Sequence, residues 1–98
     1  MVKQVLSREP DRPVRIVVAR STCSLMKEGD EVFLQGPLID YQKSAPMCLS
    51  ALVAIYPWVM TARLGVASRS LGYQDGYHLI CPDQLVEFVI TSDELVHR

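Results

Sequence analysis

Apolar and polar positions along the 98-residue chain mark four short strands and one helix. Val14, Ile16 and Val18 alternate with Arg15, Val17 and Ala19, so Val14 to Arg20 predicts a strand with one strictly apolar face, and its β-branched side chains suit a pleated, half-buried surface. Glu31 to Leu34 reads as a second, shorter strand ended by Gly36-Pro37. The turn before it, Glu28-Gly29-Asp30, needs positive φ at Gly29. Tyr77 to Cys81 and Val86 to Thr91 are the third and fourth strands, with Pro82-Asp83-Gln84-Leu85 as the hairpin connection between them.

Between the two strand pairs runs the longest apolar stretch, Cys48 to Gly65. On a 3.6-residue helix Ser50, Ala54, Pro57 and Thr61 form one narrow, weakly polar stripe, while Leu49, Leu52, Val53, Ile55, Tyr56, Val59, Met60 and Leu64 fill the rest. Pro46 suits a first turn, Ser44 or Ala45 the cap, and Gly65 a left-handed stop. Pro57 removes one backbone hydrogen bond and crowds the carbonyl of Val53, at about 3 kcal/mol. The segment therefore either breaks into two short helices or bends once with the proline outside. The place of Pro57 in the weakly polar stripe favours the bent single helix.

The order strand, strand, helix, strand, strand predicts an α+β domain over residues 14–98: a small, mainly antiparallel four-stranded sheet packed on one long, proline-bent helix. Residues 1–13 form an N-terminal arm, in which Val2, Val5 and Leu6 make either a short edge strand or a loosely ordered lead. Leu38 to Ala45 reads as a loop. Val66 to Gly76 is a polar connection, a candidate lid or partner surface. A sheet covers only one side of a helix, yet this helix is apolar on nearly three. Long loops or a second copy must cover the remainder, and Tyr56, Trp58 and Met60 are residues that association surfaces favour; the expectation is a homodimer.

Ala45 to Ala62 is free of charge for 18 residues, close to the lower limit for a membrane span. Ser50, Pro57 and Thr61 inside it, Arg63 directly after it and the lack of flanking basic clusters make a core helix the expectation, with no membrane partner. The first residues are charged and lack an apolar signal region. A net charge of −1 and a pI near 6.0 supply no basic field, which argues against a nucleic-acid partner. Three widely spaced cysteines are no disulfide framework, so free thiols in a reducing cytoplasm are expected.

Those cysteines are the first candidate chemistry. Cys48 falls in the first turn of the helix, where the macrodipole favours a thiolate; Cys81 ends the third strand and Cys23 follows the first, so strand ends can bring the three together. Cys48 is the candidate nucleophile with His78 as its base, and Cys23 and Cys81 complete the pocket. The plain alternative is that each is a small buried hydrophobe. Zinc binding lacks a CxxC pair, and His78 and Cys81 point to opposite faces of a strand, so no metal site and no cofactor is assigned. Tyr56, Trp58 and Arg63 either pack the core or wall a pocket for an acidic ligand. Asp30 and Asp83 sit in turns, where a carboxylate bonds backbone amides.

Taken together, Cys23 with Lys27, Gly29 and Asp30, then Cys48, Tyr56-Pro57-Trp58-Val59 and Gly65, and finally Cys81-Pro82-Asp83, resemble a small uncharacterised prokaryotic family of proteins of about this length. The resemblance spans Val14 to about Ile90 and implies the fold and the grouping of the cysteines; that family carries no general assigned activity. The chain departs from it in having Ile80 where a second cysteine commonly precedes the last, and Ser68-Arg69-Ser70 in place of a Pro-Trp pair, so no shared ligand is carried over. The expected function is a small-molecule-binding domain, an accessory metabolic or biosynthetic enzyme in its catalytic form, with a cysteine-lined pocket at the start of the helix. A non-catalytic homo-oligomeric interaction module and a cysteine-based metal-binding protein are the alternatives.

Overall fold

The computed structural model describes residues 12–92; the arm's possible strand at Val2 to Leu6 lies outside them. Strand β1 (Val14–Ser21) is followed by β2 (Glu31–Gln35), β3 (Leu38–Ile39), helix α1 (Leu49–Arg63), a single 3-10 turn (Ser68–Leu71), β4 (Tyr77–Ile80) and β5 (Val86–Ser92). The strands form one antiparallel sheet in the order β3-β2-β1-β5-β4, with β1 at its centre. The α+β class is as expected, and the sheet has five strands rather than four. The added strand arises because Gly36, at φ 59, and Pro37 make a two-residue turn that folds Leu38 and Ile39 back onto Gln35 and Leu34.

Strict alternation puts Val14, Ile16 and Val18 on one face, opposite Leu34 and Val32 on one side and Ile90 and Phe88 on the other. Helix α1 lays Ala51, Ile55, Val59 and Ala62 on that face, a stripe at spacings of four, four and three. Among the described residues no helix lies over the second face of the sheet. Arg15, Val17, Phe33, Glu87 and Val89 there are half-buried.

The helix is continuous through Pro57, which stands on the solvent side, so the break into two helices does not occur. Thr61 donates its hydroxyl to the Pro57 carbonyl at 2.8 Å. The amino end corrects the expected cap: Cys48 holds that position, in extended backbone, and Pro46 precedes the helix instead of opening it. Gly65, at φ 84, supplies the left-handed turn after the helix as expected. The exposed face is wider than the predicted stripe, since Leu49, Val53 and Tyr56 join Ser50, Ala54 and Pro57 on it. Among the described residues no helix is long and apolar enough to cross a membrane.

The polar connection after the helix is stitched to the body. The Ser68 hydroxyl accepts the Gly76 amide at 3.0 Å, and Tyr73 meets Tyr77 edge-on at 5.2 Å between ring centroids.

Candidate functional site: a recess lined by three cysteines

Three local structures converge at one end of the sheet, and each places a thiol. After β1, the Ser21 hydroxyl accepts the Cys23 amide at 3.0 Å and donates to the Met26 carbonyl, so the chain curls tightly. Met26 enters the core, and Cys23 remains half-buried with its Sγ accepting the Leu25 amide at 3.4 Å. At the end of β4, Cys81 pairs by its amide with the Val86 carbonyl and accepts the Gln84 amide at its own carbonyl. Gln84 turns the corner in the left-handed region, φ 63, and the Leu85 amide then points at Cys81 Sγ, 3.2 Å away. Thr22 donates its amide to the Leu85 carbonyl at 2.8 Å, which fixes the first curl against this hairpin.

Cys48 arrives from the third direction. It caps the start of α1, its carbonyl accepts the Leu52 amide, and its side chain makes no capping bond. Cys23, Cys48 and Cys81 thus line one recess of about 40 Å³, walled by Met26, Ala51, Pro82 and Val86 and edged by Ser50 and Asp83. A water needs about 10–15 Å³ of such space, so the recess takes roughly three waters or one small chemical group. It does not hold a whole metabolite. The three sulfurs come from three separate segments, yet among the described residues no group of His, Cys, Asp or Glu is disposed to hold a metal ion.

The other predicted site residues lie elsewhere. Within β4 the side chain of Tyr77 points inward, so that of His78 points outward and sits on the face of the sheet opposite the helix. There its Nδ1 is 4.0 Å from a Glu87 oxygen, and the other oxygen of Glu87 takes Arg20 Nε at 2.9 Å. The Cys48–His78 pair is therefore not formed. Tyr56 is on the solvent side of α1, whereas Trp58, two residues and 200° further round, packs half-buried against the core. Arg63 ends the helix, about 20 Å from its start at 1.5 Å per residue. Its guanidinium meets Met60 Sδ at 3.3 Å. The three do not wall a common pocket, and none of them borders the cysteines.

Asp30 fulfils its turn role by accepting the Lys27 amide at 2.9 Å. Asp83 and Ser50, in contrast, are polar neighbours of the thiols that residue types alone did not single out; the turn signal Cys81-Pro82-Asp83 is what places Asp83 there. Wider hollows exist among the described residues. One, of about 470 Å³, lies at the far end of α1 beside Ala62, Ser68, Arg69 and Asp75. A second, about 480 Å³, lies between Ile39, Tyr41, Met47, Leu49 and Leu52. A third, about 360 Å³, lies beside Arg20, Glu28, Gln84 and Glu87. None of the three is lined by a cysteine, and the concentration of soft nucleophiles makes the cysteine-lined recess the chemical candidate. No protein-family model, curated protein or solved structure matches this chain.

Proposed function

We propose that the protein binds a small ligand through the reacting end of that ligand, which enters the recess and meets the thiols of Cys23, Cys48 and Cys81. The observation that carries this reading is the convergence of three cysteines, from the β1 exit, the helix start and the β4–β5 hairpin, on a single opening. Buried cysteines acting only as small hydrophobes have no need to share a cavity, and two of these are half-buried rather than enclosed. The narrow volume selects a group of a few heavy atoms, with Ser50 and Asp83 at the rim to meet a polar remainder. A soft, thiol-seeking group suits the donor set. Free thiols also fit a reducing compartment, and the cytoplasm is proposed as the place of action.

Alkylation by iodoacetamide, followed residue by residue in the native and the unfolded chain, tests the reading. Cys48 should label in the native protein and be shielded by a bound ligand. Three thiols that label only on unfolding would end the proposal.

A second reading rests on a different observation. The outward side of α1 carries Leu49, Val53, Tyr56 and Leu64 exposed, with no charge from Leu49 to Ala62. A patch of this kind is self-complementary about a two-fold axis near the helix midpoint, so a second copy of the chain is its proposed occupant. Sedimentation over a range of concentrations tests it.

A further inference from the structure

Resting on the reading of the recess as a reactive thiol site, we propose that it is also a reversible thiol–disulfide switch, closed by a hydroperoxide-class oxidant, with Cys48 as the attacking sulfur. The three thiols are not equivalent. Sγ of Cys23 and Sγ of Cys81 each accept a backbone amide, from Leu25 and Leu85, which fixes their direction. Cys48 Sγ makes no hydrogen bond among the described residues, is half-buried, and stands at the start of a helix whose first-turn amides no side chain of Cys48 closes. It is the sulfur free to move onto a small molecule in the recess. The space of about 40 Å³ admits a peroxide group of two heavy atoms and excludes bulky oxidants.

The chemistry balances within this set. The Cys48 thiolate attacks one peroxide oxygen; an S–O bond forms, the O–O bond breaks, and the departing oxygen leaves with a proton as water, or as an alcohol from an organic hydroperoxide. Sulfur has been oxidised to the sulfenic acid and the peroxide reduced. The thiol of Cys23 or Cys81 then attacks the sulfenic sulfur. An S–S bond forms, the S–O bond breaks, and a second oxygen leaves as water, the resolving thiol supplying the proton. Both resolving cysteines line the same recess of about 40 Å³ as Cys48, and the bond requires their Cα atoms to come within the roughly 7 Å that a disulfide spans. A small dithiol reverses the reaction.

The full chain, fully reduced and treated with equimolar hydrogen peroxide, provides the test. The protein should become lighter by two hydrogen atoms, keep one thiol that still reacts with iodoacetamide, and yield on digestion a disulfide containing Cys48. Cys48→Ser should lose that cross-link. Sulfinic or sulfonic acid as the sole product, a cross-link without Cys48, or the same cross-link formed equally well in the urea-unfolded chain would each overturn the switch. Native alkylation of Cys48 without any disulfide would defeat the switch alone and leave the ligand site standing; absence of native alkylation would defeat both.

Discussion

Tyr77 donates its phenolic hydrogen to the carbonyl of Val66 at 2.8 Å, tying the first residue of β4 to the segment that leaves α1. The ring is almost fully enclosed, and this burial, with Tyr73 at its edge as the lesser cause, raises the hydroxyl above its ordinary value of 10.0. In the unfolded chain the same hydroxyl ionises near 10.0, so its contribution to stability is whole below that pH and is lost as the pH climbs toward the folded value. Tyr77→Phe should cost about 1 kcal/mol at neutral pH through the lost hydrogen bond. The variant should also show a shallower fall in stability above pH 10.0 than the parent, measured by urea unfolding on both sides of that value.

Two glycines of similar φ separate backbone strain from crowding. Gly29 at φ 94 opens onto empty space, whereas a Cβ on Gly76 at φ 91 would lie 2.8 Å from the Ile90 carbonyl oxygen and 2.7 Å from Thr91 Cγ2. Gly29→Ala should therefore cost about 1–2 kcal/mol, the left-handed penalty alone. Gly76→Ala adds a collision with the backbone of a central strand and should lose clearly more. Equal midpoints for the two variants in thermal unfolding would refute the distinction.

Much of this architecture is legible in the sequence because alternation is a backbone property. Val14, Ile16 and Val18 can face only one way, and the same rule that turns Tyr77 inward turns His78 away from the thiols. That consequence separates His78 from Cys48 as well as from Cys81. The fifth strand is harder to foresee, since Leu38 and Ile39 are too short to show a period and are defined by the turn before them. The cap moved to Cys48 because the residues before it extend along the sheet edge, where the Ala45 amide bonds the Glu31 carbonyl at 2.9 Å. Convergence of the cysteines follows from strand ends, but the narrowness of their recess depends on Met26 and Ala51 packing behind them, a tertiary matter.

Pro57 offers a gain in stability. It lies exposed on a continuous helix, so residue 57 has no amide to give and the Val53 carbonyl lacks its usual helical donor. Pro57→Ala restores that donor and a good helix former, a difference of about 3 kcal/mol in an ideal helix, offset by up to about 1 kcal/mol from the freer unfolded chain. A rise in the urea midpoint is expected, with the mean slope unchanged. A drop would mean that the proline ring itself is held by packing.

The exposed side of α1 is the last feature that a single substitution can decide. Val53 is 67% exposed between Leu49 and Tyr56, so glutamate there leaves the core of Ala51, Ile55 and Val59 untouched and replaces a β-branched residue with a better helix former. Val53→Glu should accordingly unfold within about 0.5 kcal/mol of the parent. In a two-fold helix pairing the same change puts a charge from each copy into an apolar interface, where an unpaired charge is not tolerated. The parent should sediment as a dimer and the variant as a monomer of unchanged helix content. A parent that stays monomeric at every concentration removes the second copy as the occupant of this face, and a variant that dimerises like the parent moves the interface to another part of the surface.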